Sequence, residues 1–181
     1  MKITKGDLNG LFIIEPTVFE DARGYFFESF NQQEFNNQTG LDITFVQDNE
    51  SLSEKGVLRG LHFQAPPFAQ GKLVRVIKGS VLDVAVDIRK NSPTYGQHQT
   101  IVLSEKNKRQ FYVPAGFAHG FLTLEDNTLF SYKCTNYYNK QSEGGILWDD
   151  STLNIQWGIN QPKLSEKDVF LTNFNTFASP F

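Results

Sequence analysis

Short runs of β-branched and aromatic residues, separated by glycine, asparagine or proline, recur along most of the chain. Examples are RGYFFESF, KLVRVIKGSVLDVAVDIR and NTLFSYKC. Runs of this length and spacing are typical of all-β sandwiches and barrels. Two short interruptions, KGS at 78–80 and EDN at 125–127, predict antiparallel hairpins between the runs on either side.

The run after position 79 alternates between two kinds of face. Leu82, Val84 and Val86 fall on one side of a strand, and Asp83 and Asp87 fall on the other. One face is expected to pack while the other carries carboxylates. Polar residues recur among apolar ones in other runs as well, which indicates a barrel interior that doubles as a binding pocket.

Helical signals are weak. The segment 31–38 predicts a short helix, and 164–170 predicts another that begins at a serine cap. A chain of 181 residues without a linker favours one domain over 1–181. From about residue 172 the tail is polar with scattered phenylalanines, and we expect it to be loosely attached.

Charge and cysteine content narrow the class of protein. The formal net charge is −3 with both signs mixed, so no broad basic surface is available for nucleic acid or a membrane, and any phosphate binding must be local. The single cysteine, Cys134, predicts a buried thiol rather than a disulfide. No apolar segment is long enough for a membrane span or signal peptide, so we expect a cytoplasmic protein.

Metal and cofactor motifs are missing. Neither an HxH pair nor a GxGxxG or Walker pattern occurs, so we expect no cofactor and no metal. One alternative stays open, in which His62, His119 and a carboxylate such as Asp83 share a metal ion. His98, between two glutamines, is expected at the surface.

Acid–base catalysis by side chains is the type of chemistry that remains for this chain. A histidine can take a proton from carbon if the resulting anion is stabilised and another group returns the proton. The candidates are His62 as base, Asp83 or Asp168 as the group that orients it, Lys72 and His119 at the oxyanion, and Tyr132 as the acid. His119 lies in PAGFAHGF, where small neighbours let a side chain point into a cavity.

Several blocks occur in an order and spacing that resemble a known family. DARGYFFESF, FVQDNESLS, VLRGLHFQ, VPAGFAHGF, YKCTNYYN and SEGGILWDD are similar to the dTDP-4-dehydrorhamnose 3,5-epimerase family from about residue 10 to 170. The resemblance implies an all-β, cupin-type double-stranded β-helix (jelly roll), without a metal, that forms a homodimer by strand exchange. It also implies inversion of C3 and C5 of dTDP-4-dehydro-6-deoxy-D-glucose, in the pathway to dTDP-L-rhamnose.

The same resemblance assigns roles to residues. It implies that His62 accepts the proton, that Asp168 orients His62, and that Tyr132 donates a proton from the other face. Lys72 and His119 match positions that contact the sugar and its enolate oxygen. Tyr138 matches the aromatic residue that stacks on thymine. The other positions that match nucleotide contacts are Arg23, Glu28, Gln47, Asp48, Asn49, Arg59, Glu143 and Lys167.

Strand parity adds one expectation about assembly. Arg59 and His62 are three positions apart, so a regular strand would direct them to opposite faces, and we expect one of them to serve the partner subunit's site.

Other activities also remain open. A single-centre 3- or 5-epimerase, a 3,4-ketoisomerase on the same dTDP-keto sugar, or a non-catalytic sugar-nucleotide-binding jelly roll could use the same fold.

Overall fold

A computed structural model describes residues 1–181, and most of its regular structure is β-strand. The strands are β1 Lys2–Lys5, β2 Phe12–Glu15, β3 Phe19–Asp21, β4 Gly24–Phe26, β5 Gln47–Ser53, β6 Leu58–Gln64, β7 Lys72–Lys78, β8 Ser80–Asp87, β9 His98–Ser104, β10 Gln110–Val113, β11 Phe117–Thr123, β12 Thr128–Cys134 and β13 Glu143–Gly145. Two short α-helices, α1 Gln32–Thr39 and α2 Glu166–Val169, accompany two 3₁₀ turns at Lys140–Ser142 and Phe174–Thr176. No helix has the length and apolar character needed to cross a membrane.

Two sheets form the body of the fold. One has the order β1-β2-β10-β7-β12-β5, and the other has the order β13-β6-β11-β8-β9. A buried apolar cluster contains Val74 and Phe130 from the first sheet and Ala85 and Phe121 from the second, so the core lies between the sheets. The expectation of an all-β fold is confirmed.

The two faces of β8 differ as the alternation indicates. Val84 and Val86 pack in a second cluster, while Ala85 belongs to the core between the sheets. Asp83 and Asp87 are fully buried. The carboxylate-bearing face is therefore enclosed too, which places ionisable groups inside the fold.

Both predicted hairpins are wrong. A single residue, Gly79, separates β7 from β8, yet these strands lie in different sheets. β11 and β12, on either side of the second predicted hairpin, also lie in different sheets. Gly79 has φ +80°, and a Cβ there would overlap Thr128. Alternation tells which face of a strand is buried, but it does not tell which strand is the hydrogen-bonding neighbour.

The parity argument for Arg59 and His62 is also wrong, because β6 is irregular between them. His62 is opposite His119 and Arg59 is opposite Phe121, so three steps along β6 match two along β11. An extra residue of this kind is a β-bulge, and it reverses the alternation that follows. Both side chains therefore reach the same cavity of one chain.

Gly60 lies in this bulge and makes a close backbone approach possible. Its φ is +136°, and a Cβ would sit 2.5 Å from the Cα of Gly120 on β11. Only glycine fits this conformation without displacing the neighbouring strand.

Both helix predictions are confirmed. Asn31 caps α1 by accepting a hydrogen bond from the backbone of Glu34, and Phe35 is buried beside Phe12 on the outer face of the larger sheet. Ser165 caps α2 in the same manner.

The tail differs from the expectation of loose attachment. The rings of Phe177 and Phe181 both contact Phe63, and the hydroxyl of Ser179 donates to the carbonyl of Ile88. The phenylalanines scattered along the tail attach it to the body of the fold, because they extend the second apolar cluster.

Candidate active site

A cavity of about 610 Å³ opens between the two sheets. It brings together most of the site residues that the sequence indicates. These are Asn49, Arg59, His62, Lys72, His119, Tyr132, Glu143, Lys167 and Asp168.

His62 and Asp168 form a close pair at the cavity wall. The Nε2 atom of His62 lies 2.6 Å from Oδ1 of Asp168, whose residue is 2% exposed. Burial would raise the pKa of Asp168, but the hydrogen bond and charge interaction with His62 and the hydrogen bond from Ser165 hold it below its ordinary value. A carboxylate that stays ionised can orient the imidazole and stabilise it when it takes up a proton.

A second histidine–carboxylate pair lies on the neighbouring strands. Nε2 of His119 is 2.8 Å from Oδ1 of Asp83, and both residues are buried. Residue chemistry alone left Asp83 and Asp168 as alternatives for orienting His62, and the geometry gives each histidine its own carboxylate. His119 is the register partner of His62 between β11 and β6, so the two rings enter one cavity side by side.

Tyr132 and Lys72 reach the cavity from the opposite sheet. Burial raises the pKa of the Tyr132 phenol, so this group keeps its proton at neutral pH. Burial lowers the pKa of Lys72, against the opposing influence of Cys134 and Asp83. The Nζ atom of Lys72 lies 5.9 Å from the centre of the Tyr132 ring. A protonated phenol and an amine therefore face the two histidines across the cavity.

A cluster of polar side chains forms the rim of the cavity. Glu143 accepts a hydrogen bond from Lys167 and lies 3.3 Å from the hydroxyl of Tyr138. The Tyr138 residue is 54% exposed, and its backbone amide donates to the side chain of Gln47. The guanidinium of Arg59 makes its hydrogen bonds only to the Ser53 hydroxyl, so other donor groups are free for a ligand.

Two of the expected nucleotide contacts, Gln47 and Tyr138, adjoin the cavity through lining residues without lining it themselves, and three others lie away from it. Arg23 sits on the β3–β4 hairpin, where it binds Asp21 at 2.5 Å. Glu28 follows the same hairpin and is exposed. Asp48 pairs with Lys133 at 3.0 Å. Both residues line a separate depression, which shares only Tyr132 with the cavity.

The cavity also contains residues that sequence reasoning did not select. Phe121 and Phe130 stack with their ring centres 4.0 Å apart on opposing sheets, and Glu50, Ser51 and Ser165 line the wall. Phe121 could have been found because it lies two positions from His119 on one strand and so shares its face. The sequence indicated Ser165 only as a helix cap and not as a residue of the site.

The candidate metal ligands His62, His119 and Asp83 do not converge in the way that a metal site requires. No group of three or more histidine, cysteine or carboxylate side chains is close enough to hold a metal ion, so His62, His119 and Asp83 do not form the three-ligand site left open above. Cys134 is a buried free thiol, as expected. His98 is partly buried, and burial lowers its pKa, so the expectation of a surface position holds only in part.

Comparison with known proteins identifies the family. A family model described as dTDP-4-dehydrorhamnose 3,5-epimerase matches residues 5–176. The chain belongs to this family. A dTDP-4-dehydrorhamnose 3,5-epimerase of Salmonella typhimurium is 56% identical over 170 residues, which cover 93% of each chain.

Solved structures agree with this membership of the epimerase family. A dTDP-4-dehydrorhamnose 3,5-epimerase from Elizabethkingia anophelis is 54% identical, with a TM-score of 0.92 over 97% of each chain. A dTDP-6-deoxy-D-glucose-3,5-epimerase from Legionella pneumophila, in complex with dTDP-4-keto-L-rhamnose, is 48% identical, with a TM-score of 0.94 over 98% of this chain and 94% of that one. The cupin-type jelly roll and the class of enzyme, an isomerase acting on carbohydrates, are thereby confirmed.

Proposed function

We propose that the chain inverts C3 and C5 of dTDP-4-dehydro-6-deoxy-D-glucose to give dTDP-4-dehydro-L-rhamnose, with His62 as the base and Tyr132 as the acid. One observation carries the assignment of roles. His62, held by a buried carboxylate, and Tyr132, kept protonated by burial, line one cavity from opposing sheets. Inversion requires a base on one face of the sugar and an acid on the other.

The chemistry depends on the ketone at C4. This group acidifies the C–H bonds at C3 and C5, so His62 can remove either proton while the electron pair moves onto the C4 oxygen. Lys72 and His119 stabilise the resulting enolate oxygen, because groups already fixed in place need no reorganisation as charge develops. Tyr132 then returns a proton to carbon from the opposite face. Exchange with bulk water removes the proton from His62 and restores the phenol, so the site is reset for the second carbon.

The rim residues suit the nucleotide half of the substrate. Arg59 presents a planar set of donors that matches a diphosphate. Tyr138 exposes a flat ring that can stack on thymine, and Glu143 and Lys167 fix the position of this rim. Asn49 and Gln47 hydrogen-bond to each other nearby and supply further polar contacts.

We include a homodimer in the proposal because of the β3–β4 hairpin. Phe19, Tyr25 and Phe26 on this hairpin are 62%, 56% and 70% exposed. Apolar side chains exposed on a protruding element favour a protein contact. The hairpin would carry Arg23, with Glu28 beside it, to the cavity of the partner subunit. A cytoplasmic location is also part of the proposal, and the unpaired thiol of Cys134 supports it.

Deuterium exchange tests the reaction. The protein is incubated with the keto sugar in deuterated water, and the loss of each ring proton is followed by NMR. Exchange at both C3 and C5 is expected. Exchange at one carbon alone would indicate a single-centre epimerase, and thymidine diphosphate binding without any exchange would indicate a binding protein.

Complementation tests the shared site. Arg23→Ala and His62→Ala chains, each expected to be inactive by itself, are co-expressed with different tags, and the mixed dimer is purified through both tags. If Arg23 serves the partner, one cavity of the mixed dimer regains both residues, and about half of the wild-type activity returns. A mixed dimer as inactive as its parents would mean that Arg23 serves its own chain.

A further inference from the structure

Ser165 makes two hydrogen bonds to one residue of the cavity. Its hydroxyl donates to Oδ2 of Asp168 at 2.8 Å and accepts from the backbone N–H of Asp168 at 3.3 Å. The other carboxylate oxygen, Oδ1, is the one that meets His62. The hydroxyl therefore uses its proton on the carboxylate and a lone pair on the helix amide.

The local structure offers Asp168 little other support. α2 is a single turn, and Glu166, Lys167 and Val169 are exposed. The hydrogen bonds of the Asp168 carboxylate go only to His62 and Ser165. A side chain on one turn of helix can rotate unless something fixes it, and Ser165 fixes the oxygen that His62 does not touch.

The segments on both sides of α2 are attached to the neighbouring sheet. Lys163 forms a bridge with Val57 before α2, and Thr172 forms a bridge with Ile146 after it. Both bridges attach the segment to the sheet that carries His62. The backbone is therefore already in place, and the remaining freedom is the orientation of the carboxylate.

We propose that Ser165 is a positioning residue that holds the Asp168 carboxylate in the orientation that directs Oδ1 to His62. The proposal rests on the proposed function, in which His62 is the base. The hydrogen bond from Ser165 also favours the ionised carboxylate, because a donor stabilises the charged form. Ser165 does not need to touch the sugar, since it acts through Asp168.

A purely structural role as a helix cap is the competing explanation, and three substitutions separate the two. Ser165→Thr keeps both the donor and the cap. Ser165→Gly keeps most of the cap, because glycine is tolerated at the cap position, but it has no hydroxyl to donate to Asp168. Ser165→Ala loses both. If capping were the whole role, the glycine variant would behave nearly as the wild type does.

We expect the alanine and glycine variants to lose about 10- to 100-fold in kcat with little change in KM, and the threonine variant to stay within about threefold of the wild type. The titration of the Asp168 carboxyl should move to higher pH in the two impaired variants, because losing the donor raises the pKa of this group. Ser92→Ala is a matched control. Its hydroxyl also donates to a buried carboxylate, Asp87, but neither residue lines the cavity.

The result that overturns the proposal is a Ser165→Gly variant with wild-type kcat and an unmoved titration of the Asp168 carboxyl. A loss of kcat in Ser165→Ala without any shift of that titration would also overturn it, since general damage does not change the titration of one carboxyl. The titration of the Asp168 side-chain carboxyl, followed by carbon NMR without substrate, keeps the two proposals apart. An unchanged midpoint in the alanine variant rejects the role of Ser165, whereas a wild-type protein that exchanges no ring proton rejects the function.

Discussion

Replacing Asp168 by asparagine tests the His62 pair with almost no change in volume. The 2.6 Å hydrogen bond to Nε2 of His62 would persist as a neutral one. A hydrogen bond to a charged group contributes about 1.5–3 kcal/mol and a neutral one about 0.5–1.5 kcal/mol, so the loss is about 1–2 kcal/mol. If that interaction is realised in the transition state, kcat falls by about 5- to 30-fold.

His62→Ala should have a much larger effect, because it removes the base itself. General base catalysis contributes about 10²- to 10⁴-fold, so exchange at both C3 and C5 should fall by at least the lower figure. The two substitutions therefore predict an order: wild type, then Asp168→Asn with a residual rate, then His62→Ala.

The assay is proton exchange at C3 and C5 of the keto sugar in deuterated water, measured at equal enzyme concentration. His98→Ala is the control, since this histidine does not line the cavity. It should exchange at the wild-type rate. Wild-type exchange in His62→Ala would refute the assignment of the base, and an Asp168→Asn variant as inactive as His62→Ala would refute the magnitude worked out above.

Three further predictions concern stability. Gly60→Ala should lower the free energy of unfolding by about 2–4 kcal/mol in urea titrations, because its Cβ meets the Cα of Gly120 at 2.5 Å in a left-handed conformation; an unchanged midpoint would contradict the close approach. Burial would raise the pKa of Asp87, but hydrogen bonds from Arg89 and two hydroxyls lower it to about 2, below the ordinary 3.8, so its stabilisation is present above about pH 4 and lost as pH falls through 2. Asp87→Asn should therefore flatten the decline of stability over that range, and a decline as steep as in the wild type would count against it. Deleting 172–181 should lower the free energy of unfolding by about 3 kcal/mol or more, because it removes packed phenylalanine rings, whereas an unaltered melting temperature would support a loose tail.

Features set by near neighbours along the chain could be predicted from the sequence. Alternation placed Asp83 on the face of β8 that meets His119, and the serine cap in the segment 164–170 indicated α2. Both depend on a local period or a local hydrogen bond, which a short window contains.

Features set by pairing between distant segments could not be predicted in this way. The turn at Gly79 looks like a hairpin in sequence, yet it leads from one sheet to the other. The bulge in β6 is defined by what lies opposite it on β11, and one extra residue is enough to bring Arg59 and His62 to the same face.

The charge of the cavity gives a better reason for a second subunit than strand parity does. The basic side chains that line it are Arg59, Lys72 and Lys167, and the carboxylates are Glu50, Glu143 and Asp168. The positive charges at most balance the negative ones, because burial lowers the pKa of Lys72. One chain alone therefore offers a nucleoside diphosphate no excess positive charge, and the net charge of −3 offers none at long range. In the dimer that we propose, a further cation would come from the partner subunit. Arg23, on an exposed hairpin that its own cavity does not include, is the arginine that we propose for this role.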